Sequence, residues 1–126
     1  MITARPVNIN LLKIRLPISA LISITHRISG IYVFFITLPL TIFFFKNTST
    51  EISFKAINSL MHENIILSTF VYFSFLVFLY HIMTGFRHLL MDIHIGENLK
   101  AANASAYIVI GLWLLISLFT FLRYGL

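Results

Sequence analysis

Three long apolar segments dominate the pattern of hydrophobic and polar positions. Each is free of Lys, Arg, Asp and Glu, and together they cover residues 28–45, 65–86 and 104–122. A helix needs about 20 apolar residues to cross a bilayer. The pattern therefore predicts an all-α membrane protein, a single membrane-anchor domain over residues 1–126 with three transmembrane helices. We expect the spans at residues 20–45, 65–90 and 104–122.

Polar segments separate the predicted spans. Residues 46–64 are predicted as one polar loop, and residues 94–103 as a second, shorter loop. Pro39 lies inside the first span, where proline is better tolerated than in soluble helices and can kink the helix.

The composition supports a membrane location. Of 126 residues, 59% are hydrophobic and 10% are charged, whereas soluble domains carry about 25% charged residues. A chain this short cannot bury so much apolar surface in its own core, so the surplus must face lipid or partner subunits. The absence of cysteine excludes disulfides, iron–sulfur ligation and thiolate zinc sites in this chain.

The net charge of +5 indicates membrane topology and headgroup contact rather than nucleic-acid binding. Basic residues are more frequent in the N-terminal segment and beside the second loop than at the other face. This asymmetry favours a cytoplasmic N-terminus.

A first polar cluster lies at the start of the first span. Ser23, His26, Arg27 and Gly30 follow i, i+3, i+4, i+7 spacing, so they share one helix face. With the N-terminus inside, this cluster lies near the inner membrane boundary.

A second cluster lies at the end of the second span. His81, Gly85, His88 and Asp92 follow i, i+4, i+7, i+11 spacing, which again defines one face. Because the second span ends where the first begins, both clusters are expected at the same membrane face. Gly85 is expected to leave a hollow that suits a flat ligand.

Each residue also has a purely structural interpretation. Arginine side chains commonly extend to lipid headgroups, and we favour this for Arg87, which lies off the His81 face, but not for Arg27. The histidines taken singly are equally compatible with interhelical hydrogen bonds, and Asp92 with a helix end in the headgroup region.

Haem is one ligand that would use this set, because imidazole ligates haem iron and propionates pair with Arg and His. His81 is the deeper histidine, about 13 Å from Leu90 along the helix. Two turns, roughly 10 Å, separate His81 from His88, so both cannot ligate one iron from opposite faces of the ring. His26 and His88 are the other candidates, and both are predicted too near the membrane surface. A second axial ligand is therefore expected from a partner chain. His62 and His94 are predicted in solvated loops.

A quinone is the other ligand that fits. Ser23 and Arg27 provide a hydroxyl donor and a fixed cation one helical turn apart. Asp92 could relay protons from the aqueous side.

Three motifs in order resemble the cytochrome b family of succinate dehydrogenase membrane anchors, the larger of two small anchors in complex II. They are Arg5-Pro6-Val7-Asn8, Ser23-x-x-His26-Arg27-x-Ser29-Gly30 and Tyr80-His81-x-x-x-Gly85-x-Arg87-His88-x-x-x-Asp92. The resemblance covers the whole chain and implies that the three spans form half of a two-subunit, haem-binding helical bundle.

The resemblance also implies cofactors and partners. One haem b would be shared with the second small anchor subunit, which supplies the other axial ligand. The anchors would hold an iron–sulfur subunit and a flavoprotein subunit at the bilayer and receive electrons for ubiquinone. Succinate oxidation would occur in those other subunits, so this chain would act only as a non-autonomous part of succinate:quinone oxidoreductase. The N-terminal motif favours a bacterial inner membrane over a mitochondrial one.

Residue roles follow from matching positions. The resemblance implies quinone binding by Ser23 and Arg27, axial haem ligation by His81, and proton entry at Asp92. It implies a haem propionate and pocket set of His26, Arg27, Gly85 and His88.

Two alternatives stay open. One is the anchor of a quinol-fumarate reductase, in which electrons flow the other way. The other is a small structural or ion-conducting membrane subunit without haem, whose histidines only hold helices together. It predicts that His81→Ala changes little beyond stability. The joint occurrence of two spaced clusters at one face disfavours it.

Overall fold

The computed structural model describes residues 15–124, and these form four helices and no strand. Three helices are long and apolar enough to span a membrane. The helices are α1 (Ile18–Asn47), α2 (Glu51–Glu63), α3 (Ile65–Asp92) and α4 (Leu99–Tyr124). The predicted fold class, an all-α membrane protein with three transmembrane helices, is confirmed. The Arg5-Pro6-Val7-Asn8 motif lies outside the described residues.

The start of α1 is fixed by a neighbouring helix. Pro17 precedes it in an extended conformation, and its carbonyl accepts hydrogen bonds from the backbone amides of Ala20 and Leu21. The Ser19 amide, which has no partner within its own helix, donates to Asn103 Oδ1 on α4 at 3.2 Å. The α1 start and the α4 start therefore lie at the same end of the bundle.

The middle of α1 widens into a π-helical turn over Val33–Thr37. Pro39 lies two residues after this turn, and proline cannot donate a backbone hydrogen bond within a helix. A wider turn just before Pro39 is a common local response to this missing donor. The helix continues without interruption to Asn47.

The segment predicted as one polar loop contains the helix α2, so that prediction is wrong for residues 51–63. Thr50 and Ser53 form a capping box, in which each side chain bonds the other residue's backbone amide. Lys55 and Glu51 add an exposed ion pair at 2.6 Å. This capping box marks the start of a helix within a segment whose polar composition is typical of a loop. His62 is accordingly helical, although exposed as predicted.

The connection between α3 and α4 is shorter than predicted. It reverses direction through His94 and Gly96, both with positive φ, and α4 begins at Leu99. Asn98 Oδ1 accepts the Ala101 amide at 2.9 Å, which satisfies one free donor of the first turn.

Helices α1 and α3 pack antiparallel. Thr25 bonds Tyr80 at 2.5 Å between their hydroxyl oxygens, and further along α1 Tyr32 bonds Ser74 at 3.0 Å. Contacts that advance along α1 while retreating along α3 define opposite directions. The end of α3 therefore lies beside the beginning of α1.

Helix α3 also packs antiparallel against α4. Trp113 Nε1 donates to the Leu76 carbonyl at 3.0 Å, and the Tyr72 hydroxyl donates to the Ser117 carbonyl at 2.8 Å. Transmembrane helices associate through close packing and such interhelical hydrogen bonds, because lipid offers no hydrophobic drive between them.

The interior holds small and polar side chains, and the large apolar ones point outward. The buried residues among those described are Ile22, Ala102, Ala106, Ser29, Thr37, Ser74, Thr84 and Arg87. Phenylalanines such as Phe45 and Phe35 are well exposed. This distribution is the reverse of a soluble fold and leaves an apolar exterior for lipid or partner helices.

Candidate functional site

The centre of the candidate site is a pair of histidines from different helices. The imidazoles of His26 on α1 and His81 on α3 stack with ring centroids 4.4 Å apart and an angle of 10° between planes. The antiparallel packing brings these residues level, although 54 residues lie between them in the sequence. The prediction that His26 lies nearer the membrane surface than His81 is therefore wrong. The two clusters singled out in the sequence thus meet at one interface.

Two glycines make the close approach possible. A Cβ atom on Gly30 would lie 3.1 Å from Cε1 of His81, and one on Gly85 would lie 3.1 Å from Nε2 of His26. Both distances are tighter than ordinary van der Waals contact. Each histidine therefore packs against the glycine of the opposite helix, and the hollow expected at Gly85 holds the His26 ring.

Ser29 lies between the two helices beside these rings. Its hydroxyl donates to the His26 carbonyl at 2.7 Å, and its Oγ lies 3.0 Å from Nδ1 of His81. Ser29 is 6% exposed. The motif pattern includes this residue, but sequence reasoning gave it no role.

His88 is the third imidazole of the cluster. Its ring centroid lies 4.9 Å from that of His26, with an angle of 43° between planes. Its Nε2 atom is buried and has no hydrogen-bond partner among residues 15–124. Buried polar atoms are nearly always paired, so this nitrogen has unused capacity for a ligand, a water or a partner side chain.

Arg87 does not extend to the headgroups as the sequence suggested. It is 3% exposed and crosses to α4, where Nε donates to Ser105 Oγ at 2.9 Å and Nη2 to the Ala102 carbonyl at 2.8 Å. That interpretation of Arg87 is wrong because its acceptors lie on another helix. Nη1 is buried and has no partner in the described part of the chain.

The remaining predicted site residues are more open. Ser23 is half-buried, and Arg27 and Asp92 are exposed. None of the three forms a side-chain hydrogen bond with a described residue. Their positions on α1 and at the end of α3 place them at the histidine end of the bundle. The structure does not bring Asp92 into contact with the imidazoles.

The donor set fits one axial position of a haem. No group of three or more His, Cys, Asp or Glu side chains that could hold a metal ion occurs within residues 15–124. His81 offers a ring held at its face by His26 and at its edge by Ser29. The orphaned His88 nitrogen and the exposed Arg27 are groups that suit propionates.

A separate cavity of 580 Å³ lies at the opposite end of the bundle, between α2, α3 and α4. Its lining includes Met61, Phe75 and Phe121. The Tyr72 and Thr120 hydroxyls that face it donate to backbone carbonyls. The protons of these two hydroxyls are therefore already used within the protein.

Comparison with known proteins gives a consistent family. Residues 1–120 match the family described as succinate dehydrogenase/fumarate reductase transmembrane subunit. The chain is 36% identical to the succinate dehydrogenase cytochrome b556 subunit of Coxiella burnetii over 106 residues, 83% of this chain and 84% of that protein. It is 31% identical to the cytochrome b560 subunit of Porphyra purpurea over 119 residues, 94% and 95% of the two chains. A cytochrome b556 subunit of Rickettsia bellii is 32% identical over 108 residues, 84% and 82% of the two chains.

The match extends over nearly all of the chain, including every helix that carries the histidine cluster. The three apolar helices agree with a multi-pass membrane protein, which such a family requires. The resemblance drawn from the sequence motifs is confirmed. The chain belongs to the succinate dehydrogenase/fumarate reductase transmembrane subunit family, the membrane part of complex II.

Proposed function

We propose that this chain is the haem b- and ubiquinone-binding anchor of a succinate dehydrogenase, and that it serves electron transfer from the iron–sulfur subunit to ubiquinone. One observation carries the proposal: His26, His81 and His88 converge between α1 and α3, with Gly30 and Gly85 accommodating two of the rings. A purely structural pair of helices would not need three imidazoles within one contact.

His81 is the proposed axial ligand. Iron binds imidazole along the in-plane lone pair of a ring nitrogen, and the stacked His26 ring covers only the face. A histidine of the second small anchor subunit would supply the opposite ligand. When bound, the haem would provide a one-electron carrier within the bilayer.

Arg27, His26 and His88 are proposed to receive the propionates. Propionates are anionic and require donors near the polar boundary. Arg27 has no ion-pair partner among the described residues, and His88 Nε2 has no hydrogen-bond partner there. Both therefore have donor capacity that the protein's own contacts leave unused.

Ser23 and Arg27 are the proposed quinone contacts. They lie one turn apart on α1, and the Ser23 side chain forms no hydrogen bond with residues 15–124, which leaves its hydroxyl for a quinone carbonyl. Arg27 would stabilise negative charge as it develops on the quinone. Asp92, exposed at the end of α3, is proposed to admit protons from the aqueous phase.

The proposed setting is a bacterial inner membrane with the histidine end and the N-terminus on the cytoplasmic side. Arg15 and Lys100 lie at this end, and the sequence has two further basic residues, Arg5 and Lys13, before α1. The buried Arg87 no longer counts toward headgroup contact. The partners would be the second small anchor, the iron–sulfur subunit and the flavoprotein subunit.

The test is a dithionite-reduced minus oxidised optical spectrum of the detergent-purified complex. We expect a b-type band in the wild type, and its loss or shift in His81→Ala. His62→Ala, at an exposed histidine on α2, is the matched control and should retain the band. An unchanged band in His81→Ala would overturn the ligand assignment. No band in the wild type would overturn haem binding itself.

The fumarate reductase alternative is tested in the same preparation. The proposed direction predicts faster ubiquinone reduction by succinate than quinol oxidation by fumarate. The reverse ratio of rates would assign the complex to the other direction.

A further inference from the structure

Ser29 is the only buried hydroxyl within the described residues that contacts the His81 ring. It lies on α1, and its Oγ is 3.0 Å from Nδ1 of His81 across the helix interface. The same hydroxyl is 2.7 Å from the His26 carbonyl of its own helix. Ser29 thus joins the backbone of one clustered histidine to the ring of the other.

The number of available protons determines the direction of this contact. A serine hydroxyl has one proton, and the shorter of the two contacts is the donation to the His26 carbonyl. With that proton used, Oγ can only accept from His81. The Nδ1 of His81 must then carry hydrogen, which leaves Nε2 with a free lone pair.

We infer that Ser29 is a positioning residue that holds His81 in the Nδ1–H tautomer, with its Nε2 lone pair available to an iron. Metal-binding histidines almost always donate their second ring nitrogen to a fixed acceptor, which sets tautomer and ring orientation. Ser29 provides that acceptor from a different helix. The inference rests on the proposed haem ligation by His81.

The other contacts of the His81 ring support a fixed orientation. Gly30 lies next to Ser29 and brings its backbone close to Cε1 of the ring, and His26 covers one face. The residues that hold His81 thus come from a single turn and a half of α1. Rotation of the His81 ring about its Cβ–Cγ bond would break the contact with Ser29.

Losing the acceptor has two expected effects. Hydrogen bonding at Nδ1 raises the basicity of the ligating nitrogen and favours ferric iron. Ser29→Ala should therefore weaken haem retention roughly 10- to 100-fold and raise the haem midpoint potential. A tenfold loss in the preference for ferric over ferrous iron corresponds to about 59 mV for one electron.

Ser74→Ala is the matched control. Ser74 is 1% exposed on α3, bonds Tyr32 of α1 at 3.0 Å and donates to its own helix at the Phe70 carbonyl. The Ser74→Ala variant loses the same hydroxyl oxygen from the same interface between α1 and α3, about two helical turns away from His81.

The experiment is a redox titration of haem absorbance in the purified complex, with haem content measured per flavin. We expect Ser29→Ala to titrate at higher potential and lose haem on dilution, while Ser74→Ala matches the wild type. Equal potential and haem content in the two variants would overturn the inference.

Two further variants keep the test decisive if Ser29→Ala fails to assemble. Ser29→Thr retains the hydroxyl and should titrate near the wild type. Ser29→Cys retains a weak acceptor and should shift the potential upward. Identical potentials in the Thr and Cys variants would also overturn the inference. A wild type without haem would instead overturn the proposed haem binding, and an unchanged haem band in His81→Ala would overturn the ligand assignment on which this inference rests.

Discussion

The two interfaces of α3 differ in how far their polar groups are already hydrogen-bonded. Toward α1, α3 presents His81 and His88, and one buried imidazole nitrogen there has no partner among the described residues. Toward α4, Arg87 donates from two nitrogens, and Leu76 and the Tyr72 hydroxyl engage groups of α4. The α1 interface retains hydrogen-bonding capacity, and most of the donors at the α4 interface are occupied.

The two arginines express the same difference. Arg27 is exposed and forms no ion pair within residues 15–124, whereas Arg87 is buried and bonded to α4. A buried cation is tolerated when most of its donors are bonded, and Arg87 has Nε and Nη2 bonded to α4, with only Nη1 lacking a partner among residues 15–124. The comparison teaches that the cation suited to a ligand is the one that the fold leaves free.

The largest effect should come from filling the α1 interface. Gly85→Leu places a side chain where a Cβ alone already lies 3.1 Å from His26 Nε2. We expect loss of haem b and a destabilisation of roughly 1–3 kcal/mol. The measurements are the reduced minus oxidised spectrum and thermal unfolding of the complex.

Gly111→Leu is the control, because a Cβ at Gly111 meets nothing within 4 Å. It should keep the haem band. Full haem content in Gly85→Leu would contradict the close packing of His26 on this glycine.

The next effect concerns the free cation. Arg27→Leu should lower quinone reductase activity roughly 10- to 100-fold, because hydrogen bonds to charged groups contribute about 1.5–3 kcal/mol. Ser23→Ala should lower it roughly 2- to 10-fold, as expected for a neutral hydrogen bond. Succinate oxidation with a soluble dye, measured in parallel, should persist. Wild-type quinone reduction in both variants would show that the quinone binds elsewhere.

The α4 interface should respond in stability rather than in cofactor properties. Arg87→Leu removes the bonds to Ser105 and Ala102, with an expected loss of about 1.5–3 kcal/mol of stability. The haem midpoint potential should fall only slightly, because the lost positive charge neighbours His88 and does not contact the His81 ring. Arg123→Leu, at an exposed position near the end of α4, should cost less than about 0.5 kcal/mol. A large potential shift in Arg87→Leu would erase the distinction between the two interfaces.

The smallest effect lies outside both interfaces. Thr50→Ala removes the side-chain acceptor of the α2 capping box and should cost about 1 kcal/mol locally. Amide hydrogen exchange in α2 would register the change, and the haem spectrum should remain the same. Unaltered exchange would mean that the cap contributes nothing to α2.

Sequence alone could predict the transmembrane architecture and the meeting of the histidine clusters. Long apolar runs report spans directly, because each span requires about 20 apolar residues. The i, i+4 spacing of His81 and Gly85 places both on one helix face. Because successive spans cross the membrane in opposite directions, the end of α3 lies at the end of the bundle where α1 begins. These are local patterns combined with a simple rule of connectivity.

What the sequence could not supply are the pairings between helices. Arg87 was assigned to headgroups because its acceptors, Ser105 and the Ala102 carbonyl, belong to α4 and leave no mark on the α3 pattern. The Ser29–His81 contact depends equally on the register of α1 against α3.

The missed helix α2 is a different kind of failure. Phe54, Ile57 and Met61 recur at helical spacing, but polar residues separate them and lower the apparent hydrophobicity. The Thr50 and Ser53 cap was the available signal for a helix start. This signal was weak because a capping box usually has Glu or Gln at the N3 position, where this chain has Ser53.

The most direct test of the account compares one variant from each interface of α3. Haem per flavin is measured in purified complexes that carry either His81→Ala or Trp113→Phe, which removes the Nε1 bond to the Leu76 carbonyl. The account predicts that haem is lost, or its absorption band shifted, in His81→Ala, whereas Trp113→Phe keeps the wild-type ratio and band. Wild-type haem content with an unchanged band in His81→Ala, or equal loss in both variants, would contradict the assignment of cofactor binding to the α1 interface.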